Sequence, residues 1–346
     1  MNYQQILEKK GVRASVPCRI DFGGTLDIST FYLPLNRANP STVNLALDLR
    51  TGVTLSPWDT GRVKISSRGF ESAEFRAEEV PFSHPMGLMF ACASFFNAHG
   101  VHIEIESTSP PRSALGGSSS AAVAIIAAFH AALGKPIDPS AIAMAAHFLE
   151  SSVAGVPCGL QDQLAAAFGG VNQWYWKLTD TGPAFVKKPL ADTGKEIQEL
   201  DQSLLVAYCG NPHESKDINK RWVDQFLSGN HRTTWLEIAS LTERFAAALV
   251  ARDFSLGADL MNQETRLRLS MTPDVLDKTG LKLFERAEAQ GCGARFTGAG
   301  GGGCIWALGQ PEALAGLKAD WGAIVNQDPQ ADLLKTRIDP NGIIIK

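Results

Sequence analysis

The 346-residue chain contains no uninterrupted apolar run of 18 residues, which excludes a helical membrane span. Its opening, "MNYQQILEKKGVRASVP", lacks the long apolar stretch of a secretory leader. There is no C-x-x-C pair: Cys18, Cys92, Cys158, Cys209, Cys292 and Cys304 are scattered. That spacing suits neither a zinc site nor a disulfide framework, and reads as buried thiols in a reducing, cytoplasmic setting. An excess of one charge is also missing, with 32 basic residues against 36 acidic ones. No polyanion-binding surface is expected, so neither nucleic acid nor membrane is an expected partner. The pattern G-x-x-x-x-G-K-[ST] is absent, and any nucleotide site is therefore not of the P-loop kind. No internal repeat or low-complexity tail interrupts the chain. What remains is a soluble globular composition, 45% apolar and 20% charged, long enough for two domains.

The first half alternates strand-like runs with turns. "RVKISSRGF" and "VHIEIESTSPP" are strands, the second with Val101, Ile103 and Ile105 alternating with polar neighbours. Between them "PMGLMFACASFFNAHG" predicts a buried helix. "SSSAAVAIIAAFHAALG" is apolar almost all round, with serine at its start and glycine at its end, and predicts a buried helix. "DPSAIAMAAHFLESSVAG" predicts another helix directly after it. The polar, turn-rich "KLTDTGPAFVKKPLADTGKEIQEL" is the best domain boundary, giving expected domains of 1–185 and 186–346. Beyond it come a strand, "SLLVAYCG", several helices, a glycine run and a last helix, "PEALAGLKADWGA".

Four stretches carry chemistry. In "PPRSALGGSSSAAVA" a strand end runs through Gly116 and Gly117 into three serines that open a helix. Helix N-termini present free N–H groups and the positive end of the dipole, glycines let backbone approach an anion, and a serine hydroxyl reaches a phosphate oxygen or a Mg²⁺ ion. Simple capping by Ser118 is the structural alternative. In "HFLESSVAGVPCGLQDQLAAAFGG", Glu150 and Asp162 are carboxylates on adjacent elements, able to divide metal binding and proton transfer between them. Alternatively Glu150 lies on a solvated face and Asp162 is an N-cap. "VPCRIDFGGTLDIS" reads as a strand entering a glycine turn, with Arg19, Asp21 and Asp27 clustered there; its D-F-G is not that of a protein kinase, because only twenty residues precede it.

Finally, "ARFTGAGGGGCIWAL" satisfies G-x-G-x-x-G at Gly298, Gly300 and Gly303. A dinucleotide fingerprint must open a helix, yet "CIWAL" is a second strand-like run, and the next helix begins near Pro311. The glycines therefore predict a tight turn between two strands, pressed close to another part of the chain.

Taken together, "VPCRIDFGGTLDIS", "SPPRSALGGSSSAAVA" and "FTGAGGGGCIWAL" resemble the three signatures of the GHMP kinase superfamily (galactokinase, homoserine, mevalonate and phosphomevalonate kinases), in order and across nearly the whole chain. "GLQDQLAAAFGGVNQW" and "NQETRLRLS" are similar to its sugar-1-kinase branch, which includes heptose-7-phosphate kinases and the kinase part of fucokinases. The resemblance implies an α+β fold of two domains, the first ribosomal-protein-S5-like and the second ferredoxin-like. It implies ATP and Mg²⁺ as cofactors, and a sugar or sugar phosphate (heptose 7-phosphate, fucose or galactose type) phosphorylated at a hydroxyl, anomeric C1 foremost. Asp162 would act on that hydroxyl with Arg19 beside it. Ala114, Leu115, Gly116, Gly117, Ser118, Ser119 and Ser120 would hold the nucleotide. Glu150 would bind Mg²⁺ together with Ser119 or Ser120. Asp21, Gly24, Thr25, Asp27, Gly300, Gly301 and His213 would shape the substrate side, with Ser215 and Lys216 as alternatives to His213. The second signature departs from the usual G-L-G-S-S by Ala114 and one added residue. The alternatives are a mevalonate- or homoserine-type kinase and a catalytically silent sugar–nucleotide sensor. The assembly would be a monomer or homodimer.

Overall fold

The structure is a computed structural model that describes residues 2–155, 157–180, 182–212 and 215–346. Two β-sheets organise it. The first is built on β1 (Val12–Phe22) and the long β2 (Ser41–Pro57), which pair antiparallel along their lengths. The register shifts between Val16 and Cys18, on either side of Pro17, a residue that cannot donate to the ladder. Beyond that irregularity Arg19 and Asp21, two apart on a strand, share one face. The lower half of β2 pairs with β5 (Val101–Ser107), which in turn lies parallel to β3 (Arg62–Ser67); β4 (Ala73–Arg76) closes that edge. The upper half of β2 pairs with β6 (Val171–Thr179), the first arm of a hairpin completed by β7 (Gly182–Ala191).

Two single-turn helices, α1 (Gln4–Leu7) and α2 (Ser29–Tyr32), precede the helical layer formed by α3 (Gly87–Phe95), α4 (Gly117–Ala132), α5 (Pro139–Val153) and α6 (Gln161–Phe168). As its all-round apolar sequence predicts, α4 is the centre of this layer, with Ala121 through Phe129 all buried. Phe90, Val123, Ile126, Ile103 and Trp174 belong to the core between helices and sheet.

The second sheet contains β8 (Leu204–Tyr208), β9 (Gly293–Phe296), β10 (Cys304–Leu308) and β11 (Asp332–Leu334), in the order β11-β8-β10-β9 and antiparallel throughout. Fourth-first-third-second in chain order is the ferredoxin-like arrangement. A short α7 (Gly194–Asp201) leads into β8. The connection to β9 carries α8 (Ser215–Leu227), α9 (Arg232–Ala251), α10 (Phe254–Met271) and α11 (Lys278–Ala289), and α12 (Pro311–Val325) joins β10 to β11. Trp222, Trp235, Trp321 and Phe296 share its core. A third core, containing Phe22, Leu115, Phe245 and Trp306, fuses the two units; Phe22 stacks on Phe245 at 4.1 Å between centroids. This is a two-domain α+β fold.

The division near residue 185 falls inside β7. The polar stretch that suggested a boundary takes in β7, which stays with the first sheet as the outer arm of the β6–β7 hairpin, and α7, which leads into the second. The chain end also returns: β12 (Ile344–Ile345) pairs with β1, and Ile338 bridges to Leu47.

Candidate active site

The three glycine-bearing segments meet around one cleft of about 450 Å³. At its floor is the start of α4. Ala114 (φ 61°) and Gly116 (φ 77°) take left-handed backbone, and Gly116 is the helix N-cap with no side chain capping the N–H groups behind it. Capping by Ser118 does not occur. Leu115 is buried and its carbonyl accepts from the backbone N–H of Arg19 at 3.1 Å, which ties this loop to β1. Ala114 also accepts, from Arg19 Nη1, at 2.6 Å.

Asp162 stands in the first turn of α6 and is not its N-cap; that position is Leu160. Its Oδ1 accepts from Arg19 Nε at 2.8 Å and lies 2.7 Å from Nη2. A side chain on Gly116 would put its Cβ 3.2 Å from Asp162 Oδ2, so bare backbone at 116 lets the carboxylate sit directly against the helix end. Burial pushes the Asp162 carboxyl up, Arg19 draws it down, and Asp21 pushes it up again.

Glu150, late in α5, is held at the same helix end rather than facing solvent. Its Oε1 accepts from Ser118 Oγ (3.0 Å), and its Oε2 from Ser119 Oγ (2.7 Å) and Gln163 Nε2 (2.6 Å). Burial raises its carboxyl above the ordinary value against the opposing pull of the Ser119 bond. The glutamine of the D-Q pair thus links α6 to Glu150, a function that its place beside Asp162 alone did not reveal. Ser120 turns away: its hydroxyl donates to the Pro17 carbonyl at 3.2 Å. It is buried and, unlike Ser118 and Ser119, does not line the cleft.

Thr25 and Asp27 also line the cleft. Asp27 is buried; its Oδ2 accepts from the Gln161 backbone N–H at 3.0 Å, and burial raises its pKa to about 6. Gly159 passes so close to Asp27 that any side chain there would collide with the carboxylate. Asn219 on α8 lines the cleft too and was not anticipated from sequence.

Four expected substrate contacts do not line the cleft. Asp21 is fully buried, bonded to Arg295 (3.0 Å) and to the Gly298 N–H (2.7 Å). Gly24 faces Asp21 and Gln161, where a side chain would not fit. In the glycine run, Gly298 and Ala299 reach the cleft, whereas Gly300 and Gly301 turn towards Val275, whose carbonyl accepts from the Gly301 N–H at 2.8 Å. The run is a turn between the paired strands β9 and β10, as its flanking strands implied. His213 lies outside the described residues.

The family description "GHMP kinases N terminal domain" fits residues 87–170, and "GHMP kinases C terminal" fits 245–323. The chain thus carries matches to both domains of the GHMP kinase family. With the family comes the enzyme class, a phosphotransferase acting on an alcohol group. This GHMP kinase is 23% identical to the D-glycero-alpha-D-manno-heptose 7-phosphate kinase of Campylobacter jejuni, over 87% of this chain and 90% of that one. It is 24% identical to the mevalonate kinase of Thermococcus sibiricus, over 89% and 92%. Its fold superposes on Lactococcus lactis galactokinase complexed with galactose with a TM-score of 0.73 at 18% identity, covering 99% of this chain and 97% of that one. Among the described residues no helix is long and apolar enough to cross a membrane.

Proposed function

We propose that this GHMP kinase transfers the γ-phosphoryl group of ATP to a hydroxyl, foremost the anomeric one, of a sugar or sugar phosphate. The observation that carries the reading is the Asp162 carboxylate, held by Arg19 against the uncapped N-terminus of α4. The N–H groups from Gly116 to Ser119 offer the nucleotide phosphates a pre-aimed donor set at the positive end of a helix dipole. Asp162 accepts the proton of the acceptor hydroxyl as its oxygen attacks the γ-phosphorus and the bond to the β-phosphate oxygen breaks. Arg19 keeps that carboxylate ionised and aimed. Phosphoryl transfer asks chiefly for such positioning and charge neutralisation.

Mg²⁺ fits the donor set present: one carboxylate, Glu150, with the hydroxyls of Ser118 and Ser119 at the same helix end, all hard oxygen donors. When bound, Mg²⁺ supplies charge neutralisation to the phosphate oxygens. Glu150, oriented by Gln163, holds its share of that site whether or not the acceptor is present.

Asp27, a buried carboxylate that lines the cleft and is bonded to the start of α6, supports a polyhydroxylated acceptor, because a carboxylate accepts from two neighbouring hydroxyls at once. The alternative acceptor is of mevalonate type, favoured by relatives of that name at comparable identity. The sensor reading loses support because both Glu150 and Asp162 are in place. An ATP-consumption screen over fucose, galactose, heptose 7-phosphate, mevalonate and homoserine decides. Turnover with a sugar supports the proposal, and turnover with mevalonate or homoserine alone overturns the acceptor class.

A further inference from the structure

Among the described residues, four charged side chains outside the cleft have no exposed surface: Asp21, Glu264, Arg268 and Arg295. With Arg19 and Asp162 they form one line of alternating charge. Asp162 pairs with Arg19, and Arg19 Nη1 lies 3.6 Å from Asp21 Oδ1. Asp21 Oδ2 pairs with Arg295 Nη1 at 3.0 Å, Arg295 Nε with Glu264 Oε2 at 2.9 Å, and Glu264 Oε1 with Arg268 Nε at 2.8 Å. Three cations alternate with three anions. The line begins at the reacting carboxylate, crosses β1 and β9, and ends on α10. There Arg268 Nη2 donates to the Gly24 carbonyl at 2.7 Å, with its guanidinium over the rings of Trp235 (4.4 Å) and Trp222 (4.7 Å).

Buried ion pairs seldom stabilise a fold more than well-packed apolar side chains of similar volume would. Stability alone therefore does not account for charges strung between the active site and the second unit's core. Arg19 is flanked by two carboxylates, Asp162 and Asp21, and cannot serve both with the same edge. Asp21 is satisfied from the other side, by Arg295 and by the Gly298 N–H, which leaves the Nε–Nη2 edge of Arg19 to Asp162.

We propose that this line is a positioning device: Glu264 and Arg295, which touch nothing in the cleft, hold Asp162 ionised and aimed through Asp21 and Arg19, and Arg268 fixes the turn that carries Thr25 and Asp27. The inference rests on Asp162 as the proton acceptor. The charged and titratable groups facing Asp162 are Arg19, Asp21 and Cys18 from β1, Asp27 from the following turn, and Glu150 from α5. Removing the Arg295 cation frees Asp21 to compete for Arg19, so Asp162 becomes harder to ionise. Removing the Asp21 anion does the opposite. A merely structural role would not produce shifts of opposite sign.

The test reads Asp162 directly. Carbon-13 NMR of the full chain labelled at aspartate carboxyls follows its titration, the resonance being assigned by its loss in Asp162→Asn. ATP turnover is measured alongside with the best acceptor of the screen above. Arg295→Met is expected to raise the Asp162 midpoint by about one pH unit and to lower kcat about tenfold or more with little change in KM for ATP. Asp21→Asn is expected to lower the midpoint. Arg295→Lys is expected to restore the midpoint more fully than kcat, since an ammonium lacks the planar fork. Unmoved midpoints in Arg295→Met and Asp21→Asn overturn the proposal, whatever happens to turnover. If Arg295→Met does not fold, Asp21→Asn and Arg295→Lys carry the same decision. Shifted midpoints with full turnover in Asp162→Asn support the charge line and overturn the assignment of Asp162 instead.

Discussion

The Cβ of Ala114, at the entrance to α4, occupies the space that a side chain on Gly303 would need. A Cβ at position 303 would lie 2.8 Å from it and 2.7 Å from the carbonyl oxygen of Ser113. The same carbonyl accepts from the Cys304 N–H at 2.9 Å, so the glycine turn and the 114–120 loop are bonded edge to edge. The alanine that stands where the second signature usually has glycine is thus accommodated by a glycine from the third. Gly303→Ala is expected to destabilise the protein by about 2 kcal/mol, from its left-handed backbone (φ 83°) and the collision together. Adding Ala114→Gly should recover only the part due to the Ala114 Cβ, because the Ser113 carbonyl oxygen still lies 2.7 Å from the new Cβ. Denaturant midpoints of the single and double variants measure both.

Asp162→Asn is expected to reduce turnover by two orders of magnitude or more while nucleotide binding persists, because the amide keeps the shape but accepts no proton. Stopped-flow turnover beside titration of a non-hydrolysable ATP analogue separates the effects. Near-normal turnover would remove Asp162 from the reaction.

Glu150→Gln, Ser118→Ala and Ser119→Ala should each raise the Mg²⁺ concentration for half-maximal turnover, the first about tenfold or more. Ser120→Ala should leave that concentration alone and cost about 1 kcal/mol of stability, since its hydroxyl bonds Pro17 instead. A Mg²⁺ titration of the four variants decides which hydroxyls belong to the site.

Asp27 gives a pH dependence of known sign. Its carboxyl titrates near 6 in the folded chain against about 3.8 when free, so between these values the folded state holds the extra proton. Stability from this group is present below pH 4 and is lost as pH rises through 6. Asp27→Asn should therefore melt higher than the native chain at pH 7.5, by at most about 3 kcal/mol, and the gap should close near pH 4. The same variant should raise the acceptor KM. Calorimetry at the two pH values, with steady-state kinetics, tests both.

The parts of the site legible in the sequence are those whose chemistry demands unusual residues in a row. Glycines at 116, 298 and 300–303 and serines at 118–120 announce left-handed turns and a helix start, and the interruption of the glycine run by "CIWAL" is enough to exclude a dinucleotide helix. Position 185 itself falls inside β7 because an exposed outer strand carries the same polar, turn-rich composition as a linker.

Local sequence thus determined the three glycine-bearing segments, the helix that starts the proposed phosphate site, and the two carboxylates on adjacent elements. It did so because backbone conformation and helix termini are set by nearest neighbours. Only the tertiary structure decided that Asp21 faces Arg295 rather than the cleft, that Ser120 bonds Pro17, and that Gln163 steadies Glu150. Those outcomes depend on pairings between residues up to 274 positions apart, chosen by burial and charge when the two sheets close on one another, and no spacing rule along the chain encodes them.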